Sequence, residues 1–342
     1  MTELTRVSRG AFIGFGNVAE KGHAPGWRAR AEVKIVAATD ASPSRRQAFL
    51  TAFPDARWRE TPEDLLASET LDVVDICAPP GAHAQLIVQA LDAGLHVLSE
   101  KPLVTRLEDA QSVAAAAGRA GRIVHTVHNW LKAPICRRIS SLVDRGAIGA
   151  VRSVQWRTLR TQPAVAAGPP GVANWRVDPK LAGGGILFDH GWHALYCVAR
   201  WAGVPRVVSA RLETRRHHEW PLEDTATVEL ETAFGSSRIF LTWAAEKRLN
   251  EIQIEGERGR IRVEGDTVVL ATPEEEQRFS CPPALSEGSH HPDWFDGVAE
   301  DFLRAATGRG EGNLVEAILC ARLIDAAQRS SAANGARLAI TV

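Results

Sequence analysis

Apolar positions along this chain follow two rhythms, and the change between them comes shortly after residue 128. In the first part, short apolar runs trade places with helical stripes. Residues 10–13 read as a buried strand, and Val33, Ile35 and Ala37 alternate in a second strand ending at Asp40. Residues 73–78 form a nearly continuous apolar run, the mark of a strand covered on both faces. Residues 96–99 and 123–128 supply two further strands. Helix signals lie between them. Ser42-Pro43 offers a serine cap and a proline at the first helical position. Thr61-Pro62-Glu63-Asp64 opens another helix. Leu86, Ile87, Ala90 and Leu91 make a stripe that stops at Gly94. Thr105-Arg106-Leu107-Glu108 has the form of a capping box ahead of an alanine-rich helix. Strands alternating with helices at this spacing predict a parallel, doubly wound sheet.

The second part reads differently. Residues 133–145 look helical and residues 151–161 form a long strand. Residues 163–173 are rich in Pro, Gly and Ala and are expected as a loop, a candidate lid. Gly183-Gly184-Gly185 introduces a helical stretch holding Asp189, His190 and His193. Strand-like segments then follow without intervening helices, at 206–217, 225–234, 237–245, 250–255 and 260–263. Consecutive strands of this kind predict an antiparallel sheet and a second domain. Two helices, 293–307 and 314–331, and a final strand close the chain. The expected fold class is α/β, with domains at 1–128 and 129–342 and the final helix packing back on the first domain.

Composition narrows the field. With 342 residues, 45% hydrophobic and 24% charged, the chain is long enough for two domains and a full core. A net charge of −1 gives no electrostatic reason to expect nucleic acid or an anionic membrane as partner. No apolar run approaches the roughly 18 residues of a membrane span, and the first nine residues lack the apolar core of a signal peptide. The expected location is cytoplasmic. Five cysteines, none close enough to another for a CxxC pair, argue against a zinc knuckle or a disulfide framework.

Directly after the first strand comes Gly14-Phe15-Gly16-Asn17-Val18-Ala19, a G-x-G-x-x-A form of the dinucleotide fingerprint. The first glycine permits a tight turn, the second lets backbone approach a pyrophosphate, and the small third residue lets helix pack on strand. The helix N-terminus then offers free N–H groups to the phosphates. Asp40, at the end of the second strand, can accept hydrogen bonds from both hydroxyls of an adenosine ribose and would repel a 2′-phosphate. NAD is thereby preferred and NADP remains possible, since Arg45 or Arg46 could swing onto a phosphate. Ligands of such sheets bind outside the carboxyl ends of the strands, so Gly14, Asp40, Ala78, Lys101 and His128-Asn129 are expected to share one crevice.

Lysine is scarce here, 6 against 34 arginines, yet one stands in Leu98-Ser99-Glu100-Lys101-Pro102-Leu103 at a strand end. Arginine cannot give up its proton in a protein and lysine can, so Lys101 is a candidate titratable amine; a surface ion pair before a turn proline is the structural alternative. Asp189 and His193, four apart, would share one helix face, where a carboxylate can orient an imidazole and raise its basicity. A metal held by Asp189, His190 and His193 is disfavoured, with no thiolate or H-E-x-x-H helix in support. The single tyrosine, Tyr196, is followed four positions on by Arg200 and not by lysine, which excludes a Tyr-x-x-x-Lys reductase.

The motifs taken together resemble the glucose–fructose oxidoreductase / inositol dehydrogenase / MocA-like (Gfo/Idh/MocA) family. The resemblance rests on the fingerprint at Gly14–Ala19, on Glu100-Lys101-Pro102, on the Trp175-Arg176 pair, on Gly183-Gly184-Gly185-Ile186-Leu187-Phe188-Asp189-His190-Gly191-Trp192-His193, and on Glu223-Asp224-Thr225-Ala226. It implies an N-terminal Rossmann domain and a C-terminal α/β domain with a large, mostly antiparallel sheet through which copies form homodimers or homotetramers. It also implies reversible, NAD(P)-dependent oxidation of a secondary alcohol on a sugar or cyclitol. The catalytic group it implies is Lys101, Asp189 and His193. The expected cofactor contacts are Gly14, Phe15, Gly16, Asn17, Val18, Asp40, Arg45, Ala78, Pro79, His83, Glu100, Lys101 and Asn129. The expected substrate contacts are Lys101, Trp130, Trp175, Arg176, His190 and His193, and no metal is expected. Two departures stand out. Where many members carry an aspartate a few residues after the histidine, this chain reads Ala194-Leu195-Tyr196. Trp130, Trp175 and Trp192 would make a flatter, more apolar pocket than a free hexose needs.

In the mechanism these residues imply, His193 takes the hydroxyl proton, Lys101 hydrogen-bonds the same oxygen and Asp189 holds the imidazole; the base could equally be Lys101. Two other classes remain open. One is a non-redox sugar-processing enzyme that uses tightly bound NAD transiently. The other is a catalytically idle NAD-binding protein, against which the intact Lys101, Asp189 and His193 argue.

Overall fold

The computed structural model describes residues 7–165 and 174–341. Part of the expected loop at 163–173, residues 166–173, therefore lies outside the described residues.

The apolar runs of the first part pair as one six-stranded sheet. Its strands are β1 (Ser8–Ile13), β2 (Val33–Thr39), β3 (Arg57–Trp58), β4 (Val73–Ile76), β5 (His96–Ser99) and β6 (Val124–Thr126), in the order β3-β2-β1-β4-β5-β6. Every pair in it is parallel. The order reverses direction at β1 and β4, so the crevice beyond their carboxyl ends is the natural ligand position. Helices cover both faces, and Val73, Val74, Ile76, Val97 and Leu98 are all buried as their unbroken apolar runs require.

Two predicted helix starts are made differently from expectation. Ser42 forms no side-chain cap and its hydroxyl meets Ser44 instead, while Asp40 accepts the Ser42 N–H. Thr105 does not cap either, and the helix Leu107–Ala120 begins after Arg106 with no side-chain cap. Thr105 instead abuts Gly183, where an added Cβ would come within 2.6 Å of the Thr105 methyl. A tertiary contact has taken the side chain that the local pattern assigned to capping. Thr61 does cap as read, accepting the Asp64 N–H at 3.1 Å.

The second sheet has nine strands: β7 (Val151–Leu159), β8 (Val207–Glu213), β9 (Thr225–Glu231), β10 (Ser236–Thr242), β11 (Leu249–Gly256), β12 (Arg260–Glu264), β13 (Thr267–Ala271), β14 (Glu276–Ser280) and β15 (Leu338–Ala339). The order is β14-β13-β12-β11-β7-β10-β9-β8-β15, antiparallel except for the β10–β7 pair. One face alternates buried residues such as Val154, Trp156, Ile239, Leu241, Ile252 and Ile254 and packs on the helix Trp192–Ala202. The other carries cross-strand Arg–Glu pairs, among them Arg157–Glu251, Arg238–Glu229 and Arg262–Glu276. This is the face the resemblance assigns to self-association.

Late helices join the two sheets. Phe295, on the helix Pro292–Ala306, stacks on His23 at 3.9 Å and meets Trp27 edge-on at 5.6 Å. Asn313 completes the end of β6, accepting the Thr126 N–H at 2.7 Å and donating to the Thr126 carbonyl at 2.8 Å. The helix Leu314–Ala332 touches both the Leu107–Ala120 helix and β8.

Candidate active site

A cavity of about 380 Å³ opens between the two sheets, at the carboxyl ends of the parallel strands. At its cofactor end, β1 turns sharply at Gly14, whose φ is +91°. A Cβ there would stand 2.6 Å from the Ala78 nitrogen and 2.8 Å from the Cys77 oxygen, so only glycine lets the ends of β1 and β4 touch. A Cβ on Gly16 would meet nothing within 4 Å: this position faces open space that a diphosphate can enter. Ala19 is fully buried in the helix–strand contact. Gly14, Phe15, Gly16, Asn17 and Asp40 lie outside the cavity lining, and Asp40 adjoins the turn by accepting the Phe15 N–H at 2.6 Å on one oxygen and the Ser42 N–H at 2.7 Å on the other.

Several expected cofactor contacts need correction. Arg45 is not free to swing: its Nε donates to the Phe15 carbonyl at 2.7 Å and its other end pairs with Glu20. His83 is fully buried and does not line the cavity; its ring nitrogens lie 2.7 Å from the Pro102 oxygen and 2.8 Å from the Ala78 oxygen. It acts as a strut between two strand-end loops, and burial pulls its pKa down. Pro80, not Pro79, reaches the wall, whereas Val18, Ala78, Glu100, Lys101 and Asn129 all line it. The buried Oδ1 of Asn129 has no hydrogen-bond partner, leaving an acceptor for a ligand N–H or hydroxyl. An open glycine turn, a carboxylate hydrogen-bonded to that turn and an orphaned acceptor are what a dinucleotide requires, so the residues fit one.

A group missed in the sequence backs this end. His23 Nδ1 is 2.9 Å from Asp75 Oδ2 and its Nε2 is 3.2 Å from Glu100 Oε1. Burial opposes a charge on the ring, but the Asp75 carboxylate beside it holds the pKa well above 6.5. Trp27 donates to the same Asp75 oxygen at 2.7 Å, and the Cys77 sulfur lies 3.3 Å from His23 Nδ1. These atoms satisfy one another. Glu100 also accepts the Lys101 N–H at 2.9 Å, so the carboxylate before Lys101 is pinned from two sides. No local pattern marks His23, because Asp75 and Glu100 reach it only through the β1–β4–β5 order.

At the substrate end, Lys101 comes from the first sheet and Asp189, His190 and His193 from the Gly183–Gly185 segment. Glu223, fixed by its place before β9, accepts the Gly185 N–H at 2.9 Å and the Leu187 N–H at 3.2 Å. A Cβ on Gly185 would overlap the Glu223 carbonyl at 1.8 Å, which explains a glycine at that position. Asp224 beside it accepts the N–H groups of Arg215, Arg216 and His217 and locks the β8–β9 connection. Lys101 Nζ donates to the Asp189 carbonyl at 2.7 Å and lies 3.5 Å from its Oδ1.

Asp189 does not hold His193. Leu187–Gly191 winds as a π-helix before the α-helix Trp192–Ala202, so positions four apart no longer stack. Asp189 faces Lys101 and, at 3.6 Å, His190. Burial would raise its pKa, but His190, Lys101 and Arg176 keep it well below the usual carboxylate range. His193 is held instead by Tyr196, whose hydroxyl lies 2.8 Å from Nδ1 and accepts the Trp130 N–H at 3.0 Å. Burial pushes the Tyr196 pKa well up, so the phenol keeps its proton. With the Trp130 N–H arriving as a donor, the phenol proton has His193 Nδ1 as its acceptor. Nε2 then carries the imidazole proton. The ring stacks on Trp130 at 4.7 Å, and burial, with Lys101 nearby, holds its pKa well below 6.5. His193 is a neutral N–H donor.

Trp130, Trp175 and Arg176 line the cavity as expected, with Arg176 lying over the Trp175 ring at 4.3 Å. Trp192 does not: it is fully buried and donates to His128 Nε2 at 3.2 Å. Trp294 stands in the wall instead. Arg160 and Arg248 were not visible in the sequence as site residues. They meet here because antiparallel β7 and β11 pair Leu159 with Leu249, setting the strand ends side by side.

Comparison with known proteins agrees with this geometry. Residues 8–128 match the model described as an oxidoreductase family with an NAD-binding Rossmann fold, and residues 136–262 match the GFO/IDH/MocA C-terminal domain. D-glucoside 3-dehydrogenase of Escherichia coli (strain K12) is 32% identical over 203 residues, 59% of this chain and 56% of that protein, so little more than half of that relative is spanned. D-apiose dehydrogenase of Paraburkholderia graminis is 29% identical over 276 residues, 78% of this chain and 70% of that protein. The structure of levoglucosan dehydrogenase in complex with NADH and levoglucosan superimposes with a TM-score of 0.85 over 97% of this chain and 99% of that one, at 18% identity; that likeness speaks for the fold.

Proposed function

We infer, from the premise that this chain belongs to the Gfo/Idh/MocA oxidoreductase family, that it interconverts a secondary alcohol and a ketone on a sugar, cyclitol or sugar derivative, with NAD as hydride carrier. One observation carries the reading: an amine beyond the end of a first-sheet strand, Lys101, and an imidazole on the helix packed against the second sheet, His193, line a single cavity that Val18 of the glycine turn also lines. Gly14 to Val18, Asp40, Glu100 and Asn129 are the residues that would hold the dinucleotide. Asp40, with Arg45 committed to Phe15 and Glu20, favours NAD over NADP. The bound cofactor supplies hydride acceptance and return.

The chain's own residues handle the proton. His193 presents Nε2–H to the substrate oxygen and stabilises negative charge developing there. Because His193 already carries a proton on that nitrogen, the proton leaving the alcohol passes to Lys101 Nζ, which acts as the neutral amine after releasing its own proton to solvent, and returns from the resulting ammonium in reduction. Asp189 holds Lys101 through its carbonyl and carboxylate. Trp130 and Trp175 close the walls around the reacting carbon.

The test is reduction of NAD, followed by absorbance, over a panel of sugars, cyclitols and sugar derivatives. Lys101→Arg keeps the charge but cannot release a proton. It is expected to lose about 100-fold or more in turnover, as Lys101→Ala does, with NAD binding retained. His193→Asn keeps an N–H donor and should retain more activity than His193→Ala. Full activity in Lys101→Arg would remove the proton-transfer role, and bound NAD with no net reduction by any member of the panel would remove the oxidoreductase reading.

A further inference from the structure

The charge of the cavity is lopsided at its substrate end. Arg160, Arg176 and Arg248 all line it, and among the described residues no carboxylate lies within 4.0 Å of any of the three guanidiniums. Arg160 is the most telling. It is 4% exposed, and every partner it has is neutral: the Leu159 and Leu249 carbonyls at 2.8 and 3.1 Å and Asn250 Oδ1 at 2.7 Å. Three of its five N–H groups are thereby used, and its Nε–H has no acceptor. Burial and the neighbouring Arg248 pull its pKa down to about 10, which leaves it a cation at neutral pH.

A buried cation without a hydrogen-bonded ionic partner is costly, and Asp189, which acts on Arg160 only through space, relieves it in part. Of the two carboxylates in the lining, Glu100 is engaged by His23 and by the Lys101 backbone, and Asp189 is engaged by Lys101. Of the histidines in the wall, burial holds His190 at about 3 and His193, His290 and His291 below 6.5, while His23, raised well above 6.5, has its charge matched by Asp75 and Glu100. Arg176 stacks on Trp175 and Arg248 spends one N–H on the Gly288 carbonyl, so both keep further donors for a ligand. The guanidiniums sit at the reacting end. Arg160 and Arg248 both act electrostatically on His190, and Arg176 on Asp189.

We propose that the substrate of this site is an anionic sugar or polyol, its carboxylate or phosphate held by Arg160, Arg176 and Arg248 while its alcohol lies between Lys101 and His193. Guanidinium forks suit both anions, and the low-dielectric floor around Arg160 strengthens the contact. The proposal rests on the oxidoreductase reading only for the fate of the alcohol; the anion preference stands on the charge of the cavity.

The experiment compares three ligands of one skeleton, glucose, glucuronate and glucose 6-phosphate, on NAD-loaded protein. Turnover is followed by NADH absorbance, and binding to the NADH-loaded protein by quenching of tryptophan fluorescence. The expected result is a kcat/KM or affinity at least tenfold higher for one of the two anions than for glucose. The anion that gains identifies the group. The preference should fall towards unity in Arg176→Gln and in Arg248→Gln, two variants on separate segments, and should weaken as salt is raised. Equal or better binding of glucose, or a preference unchanged in both variants, overturns the proposal. Tight, arginine-dependent binding of an anion with no NADH formed supports it while removing the oxidoreductase reading.

Discussion

A buried phenol decides which nitrogen of His193 faces the substrate. Tyr196 can do this because it receives the Trp130 N–H and has one proton left to give, to Nδ1. Tyr196→Phe fills the same space, removes that instruction and leaves the Trp130 N–H without its acceptor. The expected outcome is a drop of about tenfold or more in kcat with a smaller change in KM, since the ring no longer prefers the Nε2–H form; this is the lower range of a lost acid–base contribution. The pH profile separates positioning from simple damage. In the native protein His193, kept neutral by burial, contributes no inflection between pH 6 and 8. The variant should acquire an altered profile at unchanged thermal stability within a few degrees. A kcat equal to that of the native protein would sink the tautomer argument and return His193 to the role of free base.

At the scale of elements, the edge of the parallel sheet is held by charge rather than length. β3 has two residues, paired through Ala37–Arg57 and Ala38–Trp58. Glu69, at the end of the helix Pro62–Ser68, takes Arg57 at 2.7 and 2.5 Å and Arg59 at 3.0 and 2.7 Å, with its own side chain 1% exposed. The Arg57 hydrogen bonds pull its pKa from 4.5 to about 2. A depressed carboxylate stabilises the fold above its unfolded value and loses that contribution as pH falls from about 4.5 towards 2. Glu69→Gln should therefore cost roughly 1–3 kcal/mol at pH 7 by urea unfolding, the range for hydrogen bonds to a charged group. Arg57 is 58% exposed, which puts the expectation at the lower end. The difference from the native protein should shrink at pH 3.5, and an equal difference at both pH values would count against the charge origin. This edge was not legible in the sequence, because a two-residue strand has no period. β14 was missed for a related reason: residues of Glu276–Ser280 are exposed or half-buried throughout and present no apolar face. The central strands were legible because a strand covered on both faces must be apolar throughout. The glycine turn, Lys101 and the Gly183–His193 segment were legible because each is contiguous in sequence. Arg160, Arg248 and His23 were not, since only strand order and register bring them to the cavity. Asp189 was assigned to His193 on a spacing that a π-turn then altered.

For the whole molecule, the histidines set how stability answers to acid. Of the 11 histidines, eight have lowered pKa values with burial as the leading cause: His83, His96, His125, His128, His190, His193, His290 and His291. His96 and His125 are brought to about 4, and His128 and His190 to about 3. In the unfolded chain each takes up a proton near 6.5, and in the folded chain it does not until far lower pH. The unfolded state therefore binds more protons below 6.5, and stability must fall as pH falls. His23 runs the other way, since its raised pKa adds stability below 6.5 that is lost as pH rises through the folded value. One such group cannot offset several. Each neutral-held histidine contributes about 1.4 kcal/mol per pH unit at full effect, so two or three already weigh against a total of about 5–15 kcal/mol. The depressed carboxylates, among them Glu69, Glu100 and Asp189, act only below about 4.5, while Glu223 and Glu229, raised by burial, run with His23 against the more numerous histidines above it. Urea midpoints are therefore expected to fall steadily from pH 7.5 to 5, with net proton uptake on unfolding. A midpoint that stays level across that window would mean the buried rings are charged in the folded protein, and would take with it the neutral His193 on which the proton assignment to Lys101 depends.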